Sequence, residues 1–187
     1  TRDARSHILR AAEEAGLWEL AAEQLEQMAS TQNEETLFRI GTNLFRAGKS
    51  ERANEKFEKY ASNHPRRSQA WLKVAAFYDN HIEPKQALRA YDAALAAEPE
   101  NWKALAARSA HHLMQGRLED GLTDFEKAVG KANNQSRMNL YRQHIERLQR
   151  IGQHKLARLA AKEALPFASQ NRDGFLRLIA QAEFASG

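Results

Sequence analysis

A 34-residue period constrains this chain more than any other feature of its sequence. Ala53, Ala87 and Gly121 are spaced by that interval, as are Phe57, Tyr91 and Phe125, and Leu37, Trp71 and Leu105; Pro65 and Pro99 keep the same distance. A fixed period of a few tens of residues makes the repeat the unit of folding, because one such unit is too small to bury its own apolar face. Composition agrees with a helical repeat: of 187 residues 42% are hydrophobic and 28% charged, with four prolines and nine glycines. No window of the sequence is apolar over the length a bilayer requires, since Glu, Lys or Arg interrupts each Ala/Leu stretch.

The residues within the period are specific. Residues 68–101 contain Trp71, Val74, Ala75, Tyr78, Ala87, Tyr91, Ala94 and Pro99, and residues 34–67 contain Leu37, Ile40, Gly41, Leu44, Ala53, Phe57, Tyr60 and Pro65. This pattern resembles the tetratricopeptide repeat (TPR) family, in which a helical hairpin reads Trp-x2-Leu-Gly-x2-Tyr, Ala-x3-Phe and then Pro. Residues 102–135 stay in register through Leu105, Ser109, Gly116, Gly121, Phe125 and Ala128. The next copy, with Tyr141, Ile145, Leu148, Gly152, Ala157, Ala161 and Ala164, enters two residues late, the insertion falling near Ser136. A weaker first copy holds Gly16, Trp18, Ala21, Leu25 and Met28.

The resemblance implies an all-α, right-handed superhelical solenoid of antiparallel helix pairs. Five hairpins are expected over 1–171, at about 2–33, 34–67, 68–101, 102–135 and 138–171. Residues 172–187, with Asn171 or Asp173 as cap and Phe175, Leu178, Ile179 and Ala182 at helical spacing, are expected to form a capping helix or a truncated sixth repeat. A chain that begins at Thr1 with no basic-then-apolar leader reads as processed or as a piece of a longer protein. Small residues at Gly41, Ala75 and Ser109 are expected to let the helices of one hairpin meet, and Ala53, Ala87 and Gly121 to let the second helix lie on the next repeat. Trp71, Tyr78, Phe57, Tyr91 and Phe125 then fill the gaps, each worth roughly 1.5–3 kcal/mol on burial.

Little in the sequence points to chemistry. The pair His111–His112 is poorly spaced for a shared ion, since adjacent helical residues point about 100° apart, and His112 takes the family's tyrosine position in the core. No Gly-rich phosphate loop, HExxH or GxSxG occurs, so neither catalytic residues nor a cofactor or metal is expected, and the chain reads as no enzyme. Having no cysteine, it lacks disulfides and thiolate sites; this suits an oxidising space such as the periplasm, although cytoplasmic proteins lack cysteine too. Trp71 is assigned to the core and Trp102 to a place outside it. Arg108 stands where the family has leucine, and since an unpartnered buried guanidinium is costly it must either be paired or lay its stem on the core with its head in solvent, the second being the plainer account.

In TPR proteins the first helices of the repeats line a concave groove. The matching positions here are Phe38, Arg39, Thr42, Phe45 and Arg46; Leu72, Lys73, Ala76 and Asp79; Lys103, Ala106, Ala107, Ala110 and Met114; and Arg142, Gln143, Glu146 and Gln149. Apolar surface mixed with Arg39, Arg46, Lys73, Lys103 and Arg142 suits a partner protein or peptide carrying acidic and apolar groups. The clamp by which one TPR subclass grips chaperone tails is not reproduced: Phe38, Thr42, Lys73 and Ala107 depart from it, and Lys103 alone matches. Residues 1–35 hold three Arg/Lys against eight Asp/Glu, and 136–166 hold seven against two. Helix-face pairs such as Arg142 with Glu146 would absorb part of this asymmetry. The remainder could steer an acidic partner toward Arg137, Arg142, Arg147, Arg150, Lys155 and Arg158, or bring copies together through their ends. The expected function is a protein-binding scaffold, the cysteine-free piece resembling TPR regions of bacterial envelope and exopolysaccharide secretion assemblies. The alternative is RNA binding by the basic C-terminal repeat, motivated by a net charge of +4; an acidic first repeat and a groove without regular base-stacking aromatics oppose it.

Overall fold

The structure is a computed structural model that describes residues 2–28, 33–168 and 172–184. Asn171, one of the two expected caps, lies outside these, as do 29–32 within the first expected repeat and 185–187 at the end. Among the described residues all regular structure is helical. The helices are α1 (Arg2–Glu14), α2 (Trp18–Met28), α3 (Glu34–Arg46), α4 (Ser50–Asn63), α5 (Arg67–Asn80), α6 (Pro84–Ala97), α7 (Trp102–Met114), α8 (Leu118–Lys131), α9 (Asn134–Arg150), α10 (His154–Ala164) and α11 (Arg172–Phe184), with a short 3-10 turn at Leu165–Phe167. No helix among these residues is long and apolar enough to cross a membrane.

Local chemistry sets where the helices begin and end. Asparagine caps α3, α7 and α9: the Asn33 side chain accepts from the Thr36 N–H at 2.8 Å, Asn101 from Lys103 and Ala104, and Asn133 from Ser136 at 2.8 Å. At the hairpin turns the helix ends in a left-handed residue, and the next N–H reaches back over the last turn, Lys49 to the Leu44 carbonyl at 2.9 Å, Arg117 to His112 at 2.9 Å and Gln153 to Leu148 at 2.8 Å. Gly16, Gly48, Gly116 and Gly152 supply that conformation, with φ from 71° to 75°. The turn between α5 and α6 makes the same bond, from Glu83 to Tyr78 at 2.9 Å, but puts Ile82 at φ 58°. The late entry of the fifth copy falls in α9, which runs 17 residues where α3 and α7 run 13.

The helices form two compact units, Thr1–Val74 and Ala75–Gly187, the boundary falling inside α5. In the first unit α1 packs on α2, α2 on α3 and α3 on α4. Its core is Ala21, Ala22, Leu37, Ile40, Leu44, Ala53, Phe57 and Ala61. Gly41 is where α3 and α4 come closest: a Cβ there would stand 2.7 Å from the Phe57 ring. The acidic α2 is held to α4 and its N-cap by ion pairs, Glu19 with the N-cap Lys49 at 3.2 Å and Glu26 with Lys56 at 2.6 Å, Arg52 lying between both carboxylates. Trp71 is half-buried and not part of the fully buried core expected of it; an indole is seldom covered completely.

In the second unit α7 packs on α6 and α8, α9 on α7, α8 and α10, and α10 on α11. Ala87, Ala94, Ala104, Leu113, Ala128, Ile145, Leu148, Ala157 and Ala161 are its core. Gly121 corrects its assignment: a Cβ there would meet Leu113 at 2.8 Å and the Ser109 carbonyl at 3.2 Å, both on α7, so it serves its own hairpin. The Ser109 hydroxyl donates to the Gly121 carbonyl at 2.6 Å across that contact. For Arg108 the structure takes the paired alternative over the solvent-exposed one. Its head is not in solvent but binds the buried Asp124 with two nitrogens, at 2.7 and 2.9 Å, and Asp92 with a third at 2.7 Å. A guanidinium on the core face needs such partners, and α6 and α8 each supply one. His144 stacks on Phe125, ring centres 3.6 Å apart, and burial together with the Arg147 charge pushes its imidazole down to about 4.

Candidate functional site

In the second unit α5, α7 and α9 line an open cavity of about 460 Å³. Four expected groove positions meet there, Asp79 from α5 and Ala107, Ala110 and Met114 from α7. The small side chains of Ala107 and Ala110 leave the space, and Met114 at 60% exposure borders it with apolar surface. The wall behind Asp79 is a polar network. The Tyr91 hydroxyl donates to one carboxylate oxygen at 2.6 Å, and His111 Nδ1 lies 2.7 Å from the other. Burial and the bond to Asp79 hold the Tyr91 hydroxyl well above its ordinary range, so it stays a donor. Both Asp79 oxygens are thus engaged from inside the unit.

Seven lining residues lie outside the groove pattern, among them Ile82, His111 and Arg147. Ile82, on the turn, is 87% exposed. A β-branched residue in the left-handed region costs about 1–2 kcal/mol relative to one that prefers it. The sequence does carry a signal for it: the columns that hold Gly16, Gly48, Gly116 and Gly152 hold isoleucine here alone. His111 is absent from the pattern because it faces inward, 3% exposed. Arg147 is counted by the sequence in the basic gradient and not in the groove, because the 36-residue step to the fifth copy puts it in the column of the inward-facing His111. Among the described residues no hydrogen bond or ion pair engages its guanidinium, and burial, then Arg150, lowers its proton affinity.

The other expected groove residues of this unit lie elsewhere. Ala76, Lys103, Arg142 and Gln143 are exposed and do not line the cavity. Lys103 sits 5.5 Å over the Trp102 ring, and Arg142 donates to Asn139 at 2.7 Å; among the described residues no ion pair joins it to Glu146. Of the basic gradient, Arg137 is committed to the fold, donating to the Val129 and Ala132 carbonyls at the end of α8.

In the first unit the expected groove cations have intramolecular partners. Arg39 makes a bidentate contact with Glu13 at 3.0 and 2.5 Å, joined by the buried Asn43 at 3.1 Å. Burial pushes the Glu13 carboxyl up, but hydrogen bonds from Arg39 and Asn43 and the charges of Arg39 and Arg46 hold it below its ordinary value. Lys73 bonds Glu35 at 3.0 Å and sits 4.1 Å over the Phe38 ring, which itself touches Phe57 and Tyr60. Arg46 lies 4.8 Å over Trp18. Thr42 donates back to the Phe38 carbonyl at 3.0 Å, while Phe45 and Leu72 are half-buried.

Residues 83–136, which supply eight of the eleven residues lining the cavity, match the family model of the tetratricopeptide repeat. Over this stretch the chain carries tetratricopeptide-repeat sequence. Solved TPR-type structures share its fold: a TPR protein from Parabacteroides merdae ATCC 43184 at 18% identity, covering 98% of this chain and 77% of that one, with a TM-score of 0.56. MamA from residue 41 to its end, of Desulfovibrio magneticus RS-1, is 22% identical over 91% of this chain and 97% of its own, with a TM-score of 0.55. The TPR2AB domain of yeast Sti1, in complex with pHSP90, is 16% identical over 100% and 86%, with a TM-score of 0.52. Identities this low establish a TPR fold and nothing of the ligand. No curated protein sequence matches the chain.

Proposed function

We propose that this TPR chain is a non-catalytic scaffold that holds a partner protein or peptide on the faces of its odd-numbered helices. The observation that carries this reading is the open cavity of the second unit, where four positions chosen from the repeat pattern converge on apolar surface. The repeat organisation belongs to the same reading: five hairpins to residue 171, then a capping helix or a truncated sixth repeat. A protein partner was captured with the Sti1 domain of this fold, which supports the class of ligand and leaves its identity to this chain's own residues. Acidic and apolar groups on the partner fit Arg147 and exposed Met114 of the cavity, with half-buried Phe45 and Leu72 as further apolar surface on the first unit. A place in a bacterial envelope or exopolysaccharide secretion assembly, and self-association through the ends, complete the proposal; the cysteine-free composition supports the first.

Reversing Arg39, Arg46 and Lys73 together is a poor test, because each already has a partner inside its unit. A photo-crosslinking residue at Ala107 is cleaner, with Lys127 on the exposed side of α8 as control. In native lysate the Ala107 probe is expected to trap a discrete protein and the Lys127 probe to trap none. Equal trapping from both positions, or none from Ala107, removes the helix-face reading.

A further inference from the structure

The cavity of the second unit combines three features that folding alone does not explain. Ile82 keeps a side chain in a conformation that four sibling turns give to glycine, and exposes nearly all of it. Met114 exposes a second apolar side chain on the same cavity. Arg147 brings a half-buried guanidinium to that cavity with no hydrogen-bond or ion-pair partner among the described residues. The carboxylate of Asp79 is already bound by Tyr91 and His111, which leaves two lining charges without a hydrogen-bond or ion-pair partner among the described residues, the Arg147 cation on α9 and the Glu83 carboxylate on the turn beside Ile82.

We propose that Ile82, Met114 and Arg147 form a two-part subsite that takes an acidic side chain and a neighbouring aliphatic side chain from the partner protein. It rests on the scaffold reading and adds the chemistry recognised. Arg147 offers a planar donor set that a carboxylate can bridge and a primary amide can only partly satisfy. Ile82 and Met114 close over the aliphatic group, which would explain an exposed, strained isoleucine where glycine is better suited. Stability and binding pull in opposite directions at position 82.

The absence of cysteine allows a direct test. A single Ala110→Cys substitution places a thiol in the cavity wall for equilibrium disulfide exchange with small thiols that pair an isobutyl group with a carboxylate, a primary amide or an ammonium. The carboxylate compound is expected to label at least tenfold more completely than the amide or the ammonium. Arg147→Met should erase this preference and Arg147→Lys should keep part of it. Ile82→Gly should keep the carboxylate preference, lose the advantage of isobutyl over methyl, and raise Tm by roughly 2–4 °C as strain is relieved. Equal labelling by carboxylate and amide, or a preference that survives Arg147→Met, overturns the subsite, as does an unchanged isobutyl advantage in Ile82→Gly. These outcomes are independent of the crosslinking result: a selective cavity with no protein trapped at Ala107 would retain the subsite chemistry and remove the scaffold reading.

Discussion

Arg108 occupies a column that the repeat pattern gives to leucine, and its neighbours changed with it. Asp92 and Asp124 answer its charge from the two adjacent helices, with Asp124 only 3% exposed. The bonds to Asp124 hold the guanidinium charged against the opposing effect of burial. Removing the cation alone leaves a buried carboxylate with no guanidinium, so Arg108→Leu is expected to cost about 3 kcal/mol or more in denaturant unfolding. Pairing it with Asp124→Leu should restore most of the loss, since a buried ion pair and an apolar pair of similar volume differ little. A double variant as unstable as the single one would show that Arg108 stabilises by packing and not by pairing. The same logic explains why Arg39 and Lys73, which look like free groove cations in the sequence, are occupied by Glu13 and Glu35.

Helices, by contrast, were legible almost entirely from spacing. Period, asparagine caps and turn glycines are local properties, and Leu37, Ile40, Leu44, Ala53 and Phe57 fall in the core as their columns require. Spacing does not say which carboxylate will lie opposite a given cation, because that depends on two helices separated by 26 residues, as for Glu13 and Arg39. Hence four cavity residues of the candidate site were readable, while Ile82 showed only as a broken glycine column and Arg147 was hidden by sharing the column of the inward-facing His111. The contacts between helices also decide the sign of otherwise identical substitutions. In a helix interior Gly→Ala is worth up to about 1 kcal/mol from backbone entropy. At Gly41 the new Cβ would meet a Phe57 ring that is 1% exposed and has nowhere to go, so overpacking of about 1–3 kcal/mol should win and Gly41→Ala should destabilise. At Gly130 nothing lies within 4 Å of the added atom, and Gly130→Ala should stabilise by about 0.5–1 kcal/mol. Thermal unfolding of the two variants checks the opposed signs; a stabilising Gly41→Ala would mean the α3–α4 contact yields.

At the scale of the molecule, the buried histidines are unevenly shared. His111, His112 and His144 are all buried in the second unit, while the first holds His7 exposed and His64 half-buried. Burial lowers His112, with Arg117 adding to it, and brings His144 from 6.5 down to about 4. For a group lowered on folding, stability is complete above the unfolded value near 6.5. It falls as pH drops because the unfolded chain takes the proton first, and the loss is complete once pH has passed the folded value. Near pH 5 the His144 contribution is on the order of 2 kcal/mol, or roughly thirtyfold in the opening equilibrium. The Glu13 carboxylate of the first unit, being held below its ordinary value, stays charged at that pH. Each unit has its own core, and repeat stability is approximately a sum of local terms, so acid should act unit by unit. Amide exchange compared at pH 7.5 and pH 5, after correction for intrinsic rates, should therefore lose protection in α7–α10 by about that factor while α3 and α4 keep theirs. His144→Phe, which preserves a ring to stack on Phe125 but cannot take a proton, should remove most of the difference. Equal loss in α3 and α4 would instead mean that the chain opens as one cooperative body, with acid sensitivity in one unit transmitted in full to the other.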